Sequence, residues 1–245
     1  MLETYLNTPA AGIITQEGKD LVDRFHEAMM DNPSKAFDDF EGIGYRETKE
    51  LCSRFLGAQP DEIAFVPNFS YGLSAVVSSF LDNGLKDVLV YDEDYPSLLM
   101  PFELNGFNIE RFKGNFSTES ICEAIVKSSA QIVALSHVQF LTGYTIDIDA
   151  VGKVCRDTEK IFVIDSTQSL GLMSYDFKNQ PVDVVVGSNY KWMNAGYGSG
   201  TLLCTEQILD EYKPVVGGRN SMRMINNEFV FPRNITSYEP GHIPL

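Results

Sequence analysis

Two polar groups able to act together on a ligand follow short apolar runs in the second half of the chain. Ile161 to Ile164 and Val184 to Val186 are rich in β-branched residues and too short for helices, so each run predicts a buried strand. Asp165 follows the first run directly, and Lys191 follows the second by a few residues. Ligands of open α/β sheets bind at the carboxyl ends of the strands. We therefore expect the carboxylate and the amine to share one crevice.

A carboxylate and a lysine in one crevice are the groups that pyridoxal phosphate requires. Asp165 can keep the ring nitrogen protonated through a charge-assisted hydrogen bond. Lys191 can hold the aldehyde as a Schiff base, because a partly desolvated amine loses its proton easily. Ser188 and Tyr190 carry hydroxyls suited to the phosphate, and Gln168 can donate to the phenolic oxygen. The sequence thus predicts pyridoxal phosphate as cofactor, with Lys191 and Asp165 as catalytic residues.

The strings that contain these residues resemble two known signatures. Val-Ile-Asp165-Ser-Thr-Gln168-Ser-Leu-Gly and Gly-Ser188-Asn-Tyr190-Lys191-Trp are similar to the Asp-x-x-Gln and Ser-x-(His or Tyr)-Lys motifs of the class V aminotransferase superfamily. The resemblance runs over nearly the whole chain and implies fold type I of the pyridoxal phosphate enzymes. It implies that Lys191 forms the Schiff base, Asp165 binds the ring nitrogen and Gln168 binds the phenolic oxygen. It also implies that Ser188 and Tyr190 bind the phosphate.

Segments nearer the N-terminus extend this resemblance. A strand, a turn and an apolar helix are predicted between Glu62 and Leu81, and free N–H groups at such a helix start bind phosphate. The phosphate cup of the family falls on this turn, which implies Ser70 and the amide of Phe69 as cofactor ligands. Tyr95 falls where the family places a ring that stacks on the cofactor. Gln139 lies in the loop that contacts the phenolic oxygen in family members.

The last segment of the chain carries an expectation about a partner. Tyr238-Glu-Pro-Gly241-His242 is similar to the Phe-Glu-Ala-Gly-Thr stretch with which family members reach the phosphate of the neighbouring subunit. The resemblance therefore implies a homodimer with shared active sites. His242 is then a cofactor-binding residue of the partner's site.

The order of the predicted elements indicates an α/β fold. Strands are predicted near residues 62–67, 87–92, 108–112, 131–136, 160–165, 183–187 and 200–204, and helices near 71–82, 117–127 and 147–158. Such alternation predicts a mostly parallel seven-stranded sheet covered by helices. Leu51 and Phe55 are expected to face inward on a helix from Tyr45 to Leu56, and residues 226–232 are expected to form a single strand.

Three regions are expected along the chain. Residues 1–30 form an N-terminal arm and helix, residues 31–212 form the large domain that binds pyridoxal phosphate, and residues 213–245 begin a small domain. Members of the family continue into a complete C-terminal domain. The resemblance therefore implies that the small C-terminal domain is truncated in this chain.

Composition and charge limit the classes of partner. The formal charge of -15 over 245 residues argues against nucleic acid and anionic membrane surfaces. Four scattered cysteines without a Cys-x-x-Cys pair indicate buried thiols rather than disulfides or metal ligands, and no metal site is expected. The N-terminus lacks a basic start followed by an apolar core, so a cytoplasmic protein is expected.

The resemblance implies an enzyme that acts on a small-molecule amino acid, and a class V aminotransferase is the first expectation. Cysteine desulfurases, selenocysteine lyases and kynureninase-like lyases stay open as alternatives. The same cofactor residues serve all of these reactions, because the residues that position the substrate determine the outcome. A truncated, catalytically incompetent protein that binds pyridoxal phosphate is a further alternative.

Overall fold

A computed structural model of the chain describes residues 4–231 and 234–242. The α-helices in these residues are α1 (Gln16–Asp31), α2 (Pro33–Asp39), α3 (Tyr45–Leu56), α4 (Phe69–Asp82), α5 (Pro96–Leu104), α6 (Thr118–Lys127), α7 (Ile148–Asp157) and α8 (Glu206–Glu211). The strands are β1 (Ile63–Val66), β2 (Asp87–Tyr91), β3 (Asn108–Phe112), β4 (Ile132–Ser136), β5 (Ile161–Asp165), β6 (Val184–Ser188), β7 (Gly200–Cys204), β8 (Arg223–Ile225) and β9 (Glu228–Val230).

Seven strands form one sheet in the order β1-β7-β6-β5-β4-β2-β3. The strands from β6 to β3 in that order pair in parallel, whereas β7 runs antiparallel to both β6 and β1. The arrangement confirms the predicted α/β fold with a mostly parallel seven-stranded sheet. Because β4, β5 and β6 are adjacent and parallel, their carboxyl ends meet at one edge of the sheet.

Helices bury both faces of the sheet, which explains why its central strands are apolar along their length. On one face, α4 and α5 pack against the strands through residues that include Leu73, Phe80 and Phe102. On the other face, α6 and α7 contribute Ile121 and Val151. Every residue of β4, β6 and β7 is buried. Burial of one large apolar side chain stabilises the folded state by about 1.5–3 kcal/mol. The many such side chains in the two layers therefore hold the strands, and the residues at their ends, in fixed positions.

The two N-terminal helices differ from the expectation drawn from their periodicity. α3 forms as predicted, but Leu51 and Phe55 do not face inward, since their exposed fractions are 59% and 52%. α1 buries none of its residues. Helical spacing identifies the apolar side of a helix, but it does not say whether another element covers that side. The inward orientation predicted for Leu51 and Phe55 is therefore wrong.

A β-hairpin over residues 223–230 differs from the single strand predicted for residues 226–232, of which residue 232 lies outside the described residues. β8 and β9 pair antiparallel with Ile225 opposite Glu228, so Asn226 and Asn227 form a two-residue turn. Both asparagines have positive φ angles, 52° and 66°. Such tight hairpin turns need left-handed residues, and asparagine is one of the few residue types that tolerate this conformation. The Asn-Asn pair is thus a turn signal inside what the apolar pattern predicts as one strand.

No helix in residues 4–231 and 234–242 combines the length and the hydrophobicity needed to cross a membrane.

Gly152 in α7 should be sensitive to a single added methyl group. A Cβ atom at this position would lie 2.1 Å from the carbonyl oxygen of Pro181, so α7 would have to shift. Gly152→Ala should lower the free energy of unfolding by about 1–3 kcal/mol through this overpacking. The loss should appear although alanine favours a helix by about 1 kcal/mol relative to glycine.

Gly42→Ala is the matched control, because no atom lies within 4 Å of a Cβ placed there. Urea unfolding of both variants measures the difference. Equal stability of the two variants would contradict the close packing of α7 against Pro181.

Candidate active site

A crevice of about 550 Å³ opens at the carboxyl ends of β4, β5 and β6. Eight residues predicted to bind the cofactor line it: Phe69, Ser70, Tyr95, Asp165, Gln168, Ser188, Tyr190 and Lys191. The other lining residues are Asn68, Ser97, Ser136, Val138, Phe140, Thr167, Tyr197 and Gly198. The fold therefore brings together groups from widely separated parts of the sequence, as the strand order requires.

Asp165 is the buried acid of this crevice. It is the last residue of β5 and pairs in register with Ser136 on β4 and Val186 on β6. Burial raises the pKa of its carboxyl to about 7, hydrogen bonds from Thr167 oppose the rise, and Asp94 adds to it. The backbone N–H of Thr167 donates to Asp165 Oδ1 over 2.8 Å. A cationic ligand beside this carboxyl would stabilise its charged form and so lower its pKa.

Lys191 lies in the loop that follows β6 and is half-buried. Burial lowers the pKa of its amine, and the attraction of Asp165 opposes that shift. Its Nζ lies 5.7 Å from the centre of the Tyr190 ring. A lysine with a lowered pKa has a larger fraction of neutral, nucleophilic amine at neutral pH. The location is thus suited to covalent bonding of a carbonyl carbon.

The start of α4 forms the end of the crevice suited to an anion. Asn68 caps the helix, since its side-chain oxygen accepts a hydrogen bond from Tyr71 N at 2.9 Å. The N–H of Phe69 donates to Ser188 Oγ at 2.9 Å, so two predicted phosphate ligands contact each other directly. Ser70 lies beside them on the first turn. The hydroxyls of Ser70 and Ser188 and the positive end of the helix dipole together favour a phosphate.

Aromatic rings form much of the crevice wall. The ring of Tyr95 meets that of Phe140 edge-on, with 5.2 Å between centres. Tyr190 stacks on the largely exposed Tyr197 at 4.9 Å and an interplanar angle of 22°. Phe140 and Tyr197 were not among the residues predicted from the sequence. A planar ligand between such faces gains stacking contacts without needing further polar groups.

Asp94 supports Tyr95 and is a third residue of this region that was not predicted from the sequence. Its carboxylate is buried and accepts hydrogen bonds from Tyr95 N at 2.7 Å and Ser136 N at 2.9 Å. The Ser136 hydroxyl also donates to it, at 2.6 Å. The Asp-Tyr-Pro string carried a signal for this role, since aspartate frequently caps the backbone N–H groups of a following turn.

Gln139 does not line the crevice, unlike the eight residues above, so its predicted contact with a cofactor has no support in this geometry. Its side chain is buried, and Oε1 accepts from Leu141 N at 2.7 Å and Thr142 N at 2.8 Å. Its Nε2 donates to the carbonyl of Glu93 at 3.0 Å. These bonds hold the turn after β4 and place Phe140 beside Tyr95. Gln139 therefore shapes the wall of the crevice from outside.

His242 also lies away from the crevice of its own chain. Its Nδ1 is 2.9 Å from Glu41 Oε1, and its ring meets Phe37 edge-on at 5.1 Å between centres. The role predicted for His242 concerns the crevice of a second subunit. It stays a prediction.

Asp165→Asn should change how the stability of the ligand-free chain depends on pH. The folded-state pKa of about 7 lies above the ordinary 3.8, so between these values the folded protein binds the proton more tightly than the unfolded chain. The wild type should therefore lose stability as the pH rises from about 4 to 7. Asparagine has no such titration, so the variant should gain relative stability over this range, on the order of 2–4 kcal/mol.

Urea unfolding at a series of pH values measures that difference. Asp38→Asn, the same change at an exposed position of α2, is the matched control. A difference between Asp165→Asn and the wild type that stays constant across the series would contradict a buried, uncharged carboxyl.

Curated proteins that resemble the chain include a probable cysteine desulfurase and an uncharacterized aminotransferase. The chain is 29% identical over 183 residues to a probable cysteine desulfurase of Pyrococcus abyssi, and the match covers 71% of this chain and 46% of that protein. It is 24% identical over 213 residues to the uncharacterized aminotransferase YcbU of Bacillus subtilis, covering 76% and 55%. The chain thus spans about half the length of these relatives.

Solved structures share the fold at lower sequence identity. The apo cysteine desulfurase of Thermococcus onnurineus NA1 superposes with a TM-score of 0.82 at 21% identity, covering 98% of this chain and 63% of that one. The Escherichia coli cysteine desulfurase CsdA gives 0.83 at 15% identity, covering 96% and 62%. These likenesses agree with the predicted fold type I large domain and with a chain shorter than its neighbours.

A family model described as aminotransferase class-V matches residues 4–243, which is nearly the whole chain. The match includes every residue of the crevice. The resemblance seen in the Asp165 and Lys191 motifs is therefore confirmed, and the chain belongs to the class V aminotransferase family.

Proposed function

We propose that this chain is the cofactor-binding part of a pyridoxal phosphate enzyme that removes sulfur from cysteine. The observation that carries the proposal is that Asp165, Lys191 and the start of α4 meet in one crevice. Membership of the class V family supports the cofactor. Pyridoxal phosphate, when bound, withdraws electrons from the Cα atom of an attached amino acid.

Asp165 has the properties needed to hold a proton on the ring nitrogen. Its carboxylate is buried, so its negative charge is weakly screened by water and interacts strongly with a nearby cation. A charge-assisted hydrogen bond there is shorter and stronger than a neutral one. The hydrogen bond from Thr167 N fixes the orientation of the carboxylate. Asp165 thus maintains the positive charge that makes the ring an electron acceptor.

Lys191 has two tasks in this proposal. Its neutral amine would hold the aldehyde carbon of the cofactor, with loss of water. Once the amino group of the substrate had taken its place, the free amine would accept the proton from Cα as a general base. The lowered pKa of Lys191 favours both tasks, because each requires the neutral amine.

The remaining groups fix the position of the ring. The hydroxyls of Ser70 and Ser188 at the start of α4 would receive the phosphate, and Tyr190 would add a hydroxyl nearby. The half-exposed ring of Tyr95 covers one face of the cofactor. Contacts at the phosphate and at the ring nitrogen would hold the ring in one orientation. The Cα–H bond of the attached substrate would then point in a fixed direction, and such positioning accelerates a reaction.

Sulfur removal is favoured over other reactions of the family by the relatives. Four of them, 22–29% identical, are described as probable cysteine desulfurases. Amino-group transfer is the second candidate, because the Bacillus subtilis relative that covers 76% of this chain is described as an aminotransferase. A homodimer with shared sites, the large domain at residues 31–212 and the short region 213–245 are parts of the same proposal.

A single-turnover assay distinguishes the two reactions. The chain loaded with pyridoxal phosphate is mixed with L-cysteine and an excess of thiol reductant, which accepts the sulfur, releases it as sulfide and is oxidised to a disulfide. Sulfide and alanine are measured per bound cofactor. We expect sulfide and alanine in equal amounts, both lost in Lys191→Ala. Lys178→Ala, which changes an exposed lysine away from the crevice, is the matched control and should retain them.

Formation of a keto acid from an amino acid, with its amino group recovered on an added acceptor and no sulfide, would replace desulfuration by amino-group transfer. Product formation that persists in Lys191→Ala would contradict the role of the lysine in either reaction.

A further inference from the structure

The side-chain amide of Gln168 is held between two partners that each permit one orientation. Trp192 Nε1 donates to Gln168 Oε1 over 3.0 Å. Gln168 Nε2 donates to the carbonyl oxygen of Pro9 over 3.0 Å. An indole N–H can only donate and a carbonyl oxygen can only accept. A reversed amide would set donor against donor and acceptor against acceptor, so its oxygen must face Trp192.

This orientation decides what Gln168 can offer to a ligand. The amide nitrogen carries two N–H groups, and one of them is used by Pro9. Gln168 lines the crevice, so we infer that its second N–H can donate to a ligand there. An anionic oxygen of a ligand needs a donor at that place, and a freely rotating amide would present its oxygen for part of the time.

Close backbone contacts lock both partners in place. Gly171 has a φ of 93°, and a Cβ atom there would lie 2.7 Å from the backbone of Trp192. On the other side, Gly12 N donates to Tyr190 O over 2.8 Å. A Cβ on Gly12 would lie 1.9 Å from the carbonyl oxygen of Lys191. Three segments therefore pack directly against one another: the arm that contains Gly12, the loop from Gln168 to Gly171, and the loop that contains Lys191 and Trp192.

We propose that Trp192 is a positioning residue that fixes the Gln168 amide with an N–H toward the phenolic oxygen of the cofactor. The inference rests on the proposed function, because it takes pyridoxal phosphate as the ligand. Trp192 acts through Gln168 and has no direct contact with the reacting atoms. The carbonyl of Pro9 completes the arrangement from the N-terminal arm.

The hydrogen bond itself can be tested without the cofactor. Trp192 is the single tryptophan of the chain, so a protein with ¹⁵N-labelled tryptophan gives one indole N–H resonance. Gln168→Ala should move this resonance upfield, because the indole proton loses its acceptor. Gln180→Ala, the same change at a glutamine outside the crevice, should leave it in place. An unmoved resonance in Gln168→Ala would overturn the inference.

The effect of the Gln168 donor on the bound cofactor is measured by a pH titration of the long-wavelength absorption band of the cofactor–protein complex. The measured quantity is the pH midpoint of that titration. A donated N–H stabilises negative charge on the phenolic oxygen, so loss of this donor should raise the pH midpoint, by about one unit. Trp192→Phe, which keeps a ring but removes the donor, should shift the midpoint in the same direction as Gln168→Ala. The double variant should match Gln168→Ala alone, because Trp192 acts only through Gln168.

The outcomes separate this inference from the proposed function. A wild-type band that Trp192→Phe leaves unchanged, or shifts that add in the double variant, would overturn the positioning role alone. Absence of any pH-dependent band in the wild type would overturn the proposed function and this inference with it. If Trp192→Phe does not fold, the indole resonance of Gln168→Ala, which retains Trp192, still decides the matter.

Discussion

Burial of the Asp165 carboxylate is the constraint on which the rest of the site depends. The pKa of about 7, against 3.8 for an ordinary aspartate, corresponds to roughly 4 kcal/mol of unfavourable charging in the ligand-free chain. The fold tolerates this cost because β5 is fixed on both sides by parallel neighbours. A ligand with a ring nitrogen that can carry a proton removes the penalty. The unfavourable charging of Asp165 in the ligand-free chain thus favours binding of a ring that carries a positive charge.

The other functional groups take their positions from the strands beside Asp165. β6 lies parallel to β5 and sends the chain directly into the lysine loop, and α4 begins next to Ser188. Gly187 is required at this junction, because a Cβ there would lie 2.5 Å from the Ser166 hydroxyl. The register of β5 and β6 therefore determines how Asp165, Lys191 and Ser188 lie relative to one another. Small shifts of that register would separate them.

The sequence predicts the parts of this arrangement that depend on local pattern. Short β-branched runs ending in Asp165 and before Lys191 were sufficient to predict two buried strands and their shared crevice. The interlocking of Trp192, Gln168 and Pro9 was not predicted, because it depends on contacts between residues far apart in the chain. Exposure of a helix side, and the use of Gln139 to hold a turn, likewise depend on what lies opposite in three dimensions.

Reduction of the cofactor complex with borohydride, followed by peptide mapping, tests the central claim most directly. Borohydride converts a cofactor–lysine bond into a stable one, so the modified peptide identifies the lysine. We expect a pyridoxyl group on Lys191, in the peptide that contains Ser188 and Trp192. Label on another lysine, or no label on a protein that has bound the cofactor, would contradict the claim that Asp165 and Lys191 form one site.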